Sequence, residues 1–96
     1  MSPRGADVIC SVLRQLGVPG VFGLPGTQNV RLYEALRAAG LRRIVTADEG
    51  SAAFAATGFA RASGTVGVLT TIPGPGFVHA LAGIVEARMG ADAAEP

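Results

Sequence analysis

The stretch Leu41–Gly64, LRRIVTADEGSAAFAATGFARASG, decides how the rest of the chain is read. Its first residues, Leu41-Arg42-Arg43-Ile44-Val45-Thr46, form a short run with β-branched members, the signature of a strand. The acidic pair Asp48-Glu49 then opens a long segment without proline, and Gly64 closes it, as helix starts and stops require. Ala or Gly stands at positions 50, 52, 53, 55, 56 and 58, so this helix is small-sided and can lie close to neighbouring backbone.

The same strand–turn–helix unit recurs on both sides. Upstream, Val21-Phe22 runs into Gly23-Leu24-Pro25-Gly26, and a helix is expected over about Asn29–Ala39, with Leu32, Leu36 and Ala39 on one face and Gly40 beyond its end. Before that, Asp7 is placed as the cap of a first helix, Val8, Ile9, Val12, Leu13 and Leu16 as its apolar stripe, and Gly17 as its stop. Downstream, Val66–Thr70 reads as a third strand. Proline and glycine crowd the following turn, and a fourth helix is expected from about Phe77, with Leu81, Ile84, Val85 and Ala87 mostly on one side. Strands and helices alternating at this spacing imply parallel strands joined by right-handed crossovers and covered on both faces. The fold class is therefore α/β, a partial parallel sheet of about three strands with flanking helices. The closing segment MGADAAEP offers no fourth strand.

Composition narrows the function. The chain has 96 residues, enough for one core at most. Charged residues make up only 16%, low for a small free-standing domain, so part of its surface is expected to be covered by further chain or by a partner. All 8 basic residues are Arg and they are scattered, which gives nucleic-acid binding no support. The single cysteine, Cys10, excludes an internal disulfide and fits a reducing, cytoplasmic setting. No secretory signal is recognisable at the start, and no apolar run reaches the ~20 residues of a membrane span.

Two loops at the carboxyl ends of strands are candidate sites: Gly23-Leu24-Pro25-Gly26-Thr27-Gln28-Asn29 and Thr70-Thr71-Ile72-Pro73-Gly74-Pro75-Gly76. Ligands of open α/β sheets sit at such positions, and Gly74-Pro75-Gly76 before a helix lets backbone approach a cofactor. Taken alone, both loops also read as plain turns. A dinucleotide fingerprint fails because His79 stands where a third small residue belongs, and a P-loop fails because the chain has no Lys. Glu49 is the most informative single residue, although a carboxylate at a helix start also serves as a dipole partner. His79, the only histidine, falls in the first turns of the fourth helix, and Cys10 reads as packing. No second His or Cys pairs with either, so no metal site is expected.

Taken in order, GVPGVFGLPGTQNVRLYEAL, GLRRIVTADEGSAAFAATGFARASGTVGVLTT and GPGFVHALAGIVEARMG resemble the N-terminal pyrimidine-binding domain of the thiamine diphosphate (ThDP) enzymes that act on 2-keto acids. Acetolactate synthase, benzoylformate decarboxylase and glyoxylate carboligase belong to this family. The resemblance runs from about Gly5 to Gly90. It implies that Glu49 is the family glutamate that contacts N1′ of the aminopyrimidine, favouring the imino tautomer that takes the proton from the thiazolium. It implies cofactor contacts from Pro25, Gly26, Thr71, Gly74, Pro75 and Gly76, and puts Leu24, Thr27, Gln28 and His79 on the substrate side. The chain departs from the family where relatives often read T-S-G-P-G: here that loop is two residues longer. His79 stands where many relatives have Asn.

The resemblance also implies what lies elsewhere. Relatives hold the diphosphate through Mg2+ on a separate C-terminal domain, and their sites form between two subunits of a dimer or tetramer. Residues 1–96 are thus expected to be about the first half of the pyrimidine-binding domain, from a longer lyase or transferase that cleaves or joins carbon–carbon bonds. The isolated chain is expected to be catalytically inactive and poorly soluble, with an open sheet edge. The competing reading is a small non-catalytic α/β interaction or regulatory protein that kept this scaffold.

Overall fold

The computed structural model describes residues 5–26 and 29–94. Helices and strands alternate: α1 Gly5–Gln15, β1 Gly20–Gly23, α2 Val30–Ala38, β2 Arg42–Val45, α3 Glu49–Ser63, β3 Leu69–Thr70 and α4 Pro75–Ala94. The three strands form one parallel sheet in the order β2-β1-β3. Val21 is paired with Arg43 on one side, and Phe22 with Leu69 on the other.

Adjacent residues of β1 point to opposite faces, and each face has its own partners. Val21, 1% exposed, packs with Cys10 of α1, Ala35 and Leu36 of α2, and Leu41. Phe22 meets Phe59 of α3, with ring centroids 5.7 Å apart. Thus α1 and α2 cover one face and α3 the other, as right-handed crossovers running in opposite directions, from β1 to β2 and then from β2 back across β1 to β3, require. Burial of a side chain such as Leu36, fully shielded from solvent, contributes about 1.5–3 kcal/mol.

Helix α3 is defined at both ends. The Asp48 carboxylate accepts the Ser51 amide hydrogen at 2.8 Å, and Gly64 at φ +73° ends the helix in the left-handed conformation that glycine tolerates best. Helix α4 lies along α3 at close range. A Cβ on Gly83 would run into the Ala53 methyl, and Ala80 is wholly buried. Small residues are what allow this approach, as the sequence of α3 suggested.

Several boundaries and faces differ from expectation. Helix α1 starts at Gly5, so Asp7 lies in its first turn rather than capping it. Its inward face is Ala6, Cys10 and Leu13, while Val8, Ile9, Val12 and Leu16 are exposed. The reason is the small-residue seam with α2: Cys10 and Ala35 meet there, and the bulkier aliphatics are turned outward. Helix α4 starts at Pro75, not Phe77, because Gly74 at φ +75° completes the turn and proline suits a first helical position. Gly76, Ala80 and Gly83 are buried in it, with Leu81 and Val85 exposed. Strand β3 is only two residues long, and Val66 is exposed. Gly67 lies so close to α3 that a Cβ there would strike the Ala56 carbonyl. Residues up to 94 continue α4, and no described helix is long and apolar enough to cross a membrane.

Candidate functional site

Strand β1 has β2 on one side and β3 on the other, so the sheet changes direction beside it. In such sheets ligands bind in the crevice outside the carboxyl ends of the strands at that switch. Three connections open there: 24–29 after β1, 46–48 after β2, and 71–74 after β3.

The first connection is held from within. Asn29, 9% exposed, accepts the Gly26 amide hydrogen through Oδ1 at 2.7 Å and donates through Nδ2 to the Leu24 carbonyl at 3.3 Å. A short hydrogen bond, 2.7 Å, joins Tyr33 Oη of α2 to Thr70 Oγ1 at the end of β3. Gly23 makes this possible, since a Cβ there would collide with the Thr70 carbonyl and hydroxyl.

The second connection delivers the carboxylates. Asp48 is held below the ordinary aspartate range first by the Ser51 amide and then by the Ser51 hydroxyl, with the imidazole of His79 adding least. Its neighbour Glu49 is more shielded, with a side chain only 14% exposed. Glu49 Oε1 lies 3.4 Å from His79 Nδ1. Its other oxygen, Oε2, lies 3.2 Å from where a Cβ on Gly76 would stand.

The third connection fills the space between. Ile72 Cγ2 lies 2.6 Å from the place a Cβ on Gly26 would take, and Ile72 Cγ1 lies 2.8 Å from the same place on Gly76. Ile72 is thus wedged between two glycines from different loops, and Thr71 Cβ is 3.7 Å from the Gly76 position. The structure therefore brings Gly26, Glu49, Thr71, Gly76 and His79 around one crevice, through Ile72. Gly76 is buried; Leu24 and Thr71 are half-buried; Gly74, Pro75 and His79 are exposed. Pro25 is exposed and borders a separate depression with Val30, Tyr33 and Arg43. Thr27 and Gln28 lie outside the described residues.

Two cavities of about 420 and 430 Å³ lie elsewhere, one between α3, α4 and β3, the other between α1 and α2. None of the sequence-derived site residues lines either of them. Among the described residues, no group of three or more His, Cys, Asp and Glu is gathered to hold a metal. Three residues of the crevice carried no individual site role in the sequence reading: Asn29 and Ile72 stood only within the candidate loops, and Asp48 only at a helix start. Ile72 belongs to the lengthened loop, which was its only signal. Asn29 was legible as polar next to a helix start, and Asp48 as a helix cap.

The family described as "Thiamine pyrophosphate enzyme, N-terminal TPP binding domain" matches residues 3–90. The chain belongs to this family. As a member of the TPP enzyme family it is 43% identical over 84 residues to the probable acetolactate synthase large subunit of Methanocaldococcus jannaschii, covering 88% of this chain and 14% of that protein. It is 41% identical over 81 residues to the probable 2-ketoarginine decarboxylase AruI of Pseudomonas aeruginosa, covering 84% and 14%. It is 39% identical over 86 residues to the acetolactate synthase isozyme 2 large subunit of Escherichia coli, covering 90% and 16%. The chain therefore spans about one-seventh of the length of these curated relatives. It is a TPP-binding domain related to enzymes that process 2-keto acids.

Proposed function

We propose that this chain supplies the aminopyrimidine side of a thiamine diphosphate site in an enzyme that breaks or forms the carbon–carbon bond beside a 2-keto acid carbonyl. The observation that carries this reading is the shielded Glu49 carboxylate, 14% exposed, facing Gly76 at the carboxyl end of the sheet. The residues present fit the cofactor. Glycine at 76 leaves no side chain of its own against Glu49 Oε2, and a carboxyl group is the right partner for a basic ring nitrogen.

Thiamine diphosphate, when bound, supplies the nucleophilic carbon and the electron sink. The chain's own task is orientation and proton placement. Glu49 holds or shares a proton at its carboxyl oxygen, directed at N1′ of the aminopyrimidine. Gly74, Pro75 and Gly76 at the start of α4, with Thr71, would hold the pyrimidine portion of the cofactor. Leu24 and Gly26, together with Thr27 and Gln28, would border the thiazolium and substrate. Residues 1–96 are proposed as the first part of the pyrimidine-binding domain. The Mg2+ and diphosphate anchor belong to another domain, and the site is completed by a second subunit. Decarboxylation, as in the relative named a 2-ketoarginine decarboxylase, and condensation, as in the acetolactate synthases, both fall within this chemistry.

The test is Glu49→Gln in the complete protein carrying this chain. Loss of a positioned proton-transfer group is worth about 10²–10⁴ in rate, so turnover of a 2-keto acid is expected to fall by at least 100-fold. Full activity in the variant would overturn the reading.

A further inference from the structure

The two oxygens of Glu49 have different surroundings. Oε2 faces the Gly76 side of the crevice, whereas Oε1 lies 3.4 Å from His79 Nδ1. The His79 side chain is 67% exposed, yet its backbone is fixed. Its neighbour Ala80 is wholly buried, and a Cβ on Gly50 would come within 3.3 Å of the His79 carbonyl oxygen. The start of α4 is thereby set against the start of α3. Asp48 and Glu49, both from the start of α3, are the acidic groups that face the imidazole. His79 is the only histidine of the chain, and ordinary packing does not require an imidazole at so exposed a position.

We infer that His79 is a positioning residue for Glu49: Nδ1–H engages Oε1 and so turns Oε2 toward the Gly76 side, where the aminopyrimidine would lie. The inference rests on the function proposed above for Glu49. A donor at Nδ1 is present both in the imidazolium and in the Nδ1–H tautomer, so the contact needs a donor at that place rather than a positive charge. An asparagine at the same backbone position has an amide hydrogen to offer; a leucine has similar bulk and none.

The experiment compares His79→Leu and His79→Asn in the complete protein, each with Glu49 intact and in a Glu49→Ala background. Thiamine diphosphate with Mg2+ is the probe, and its dissociation constant is read from quenching of protein fluorescence. An exposed, solvent-screened contact is worth only a few-fold, so His79→Leu is expected to weaken cofactor binding about threefold with Glu49 present. The same change should have no further effect in Glu49→Ala, where there is no side-chain oxygen to hold. Turnover gives a second readout. A carboxylate free to swing by about half an ångström should lower kcat about tenfold at unchanged KM, and His79→Asn should restore most of it.

Equal weakening by His79→Leu in both backgrounds would show a packing role only and overturn the inference. So would wild-type binding and kcat in His79→Leu. Failure of the underlying function looks different: Glu49→Ala itself would then bind the cofactor and turn over like the wild type.

Discussion

Replacing Gly76 by alanine places a methyl group at the most crowded point of the crevice. The new Cβ would lie 2.8 Å from Ile72 Cγ1 and 3.2 Å from Glu49 Oε2, where ordinary contact begins at 3.4 Å. Ile72 would have to give by about half an ångström, but its Cγ2 already occupies the space beside Gly26. Overpacking of this kind costs about 1–3 kcal/mol. The carboxylate would be displaced by about 0.2 Å, and at roughly 100-fold per ångström of misplacement that lowers kcat two- to threefold. Gly58 is the natural control. It is exposed on α3, and a Cβ there meets nothing within 4 Å. Gly58→Ala should therefore stabilise the protein, by about 0.5–1 kcal/mol, through helix propensity alone. Urea unfolding of both variants, followed by far-UV circular dichroism, reads the two signs directly. A Gly76→Ala protein as stable as the wild type, with unchanged kcat, would refute the wedge of Ile72 between the two loops.

Two other perturbations test the frame around the site. Tyr33→Phe removes the bond to Thr70 Oγ1 and should lower unfolding free energy by about 0.5–1.5 kcal/mol in the same urea assay; an unchanged midpoint would deny that this bond ties α2 to β3. Asp48 binds its proton less tightly in the folded chain than in the unfolded one. Its capping contribution is therefore fully present above the ordinary aspartate value of 3.8 and is lost as pH falls through the lower folded value. In Asp48→Ala the melting temperature should be lower at neutral pH and should change less across that acid window than in the wild type; parallel acid limbs would contradict the cap.

The order of elements and the position of the crevice were legible in the sequence, because glycine and proline punctuate each strand end and Gly17, Gly40 and Gly64 stand just past helices. The face each helix turns inward was less legible. In α1 the aliphatic stripe named Val8, Ile9, Val12, Leu13 and Leu16, of which Leu13 packs on the core, while Ala6 and Cys10 face it and the other four are exposed. The same holds in α4, where Ala80 and Gly83 are inside and Leu81 and Val85 outside. Strand β3 is shorter than its β-branched run suggested, and Gly67 before it lies against the Ala56 carbonyl, a contact between elements that no local pattern reports.

Of the site, Glu49 and the Gly74-Pro75-Gly76 turn were readable as types: a carboxylate at a helix start and a loop that admits backbone approach. Family resemblance, not periodicity, attached a cofactor to them. The pairing of Glu49 with His79 joins residues thirty positions apart on different helices, and only the packing of α3 against α4 brings them within reach. Ile72 is similar. As sequence it is one apolar residue in a turn, whereas in the structure it fills the gap between loops that follow β1 and β3.

The most direct measurement is a crystal structure of the complete protein with thiamine diphosphate and Mg2+ bound. The distance to read is that from the Glu49 carboxyl to N1′ of the aminopyrimidine. The account predicts a hydrogen bond of about 2.6–3.2 Å from Oε2, with the ring against Gly76. An aminopyrimidine seated elsewhere, or a Glu49 carboxyl turned away from it, would contradict the assignment.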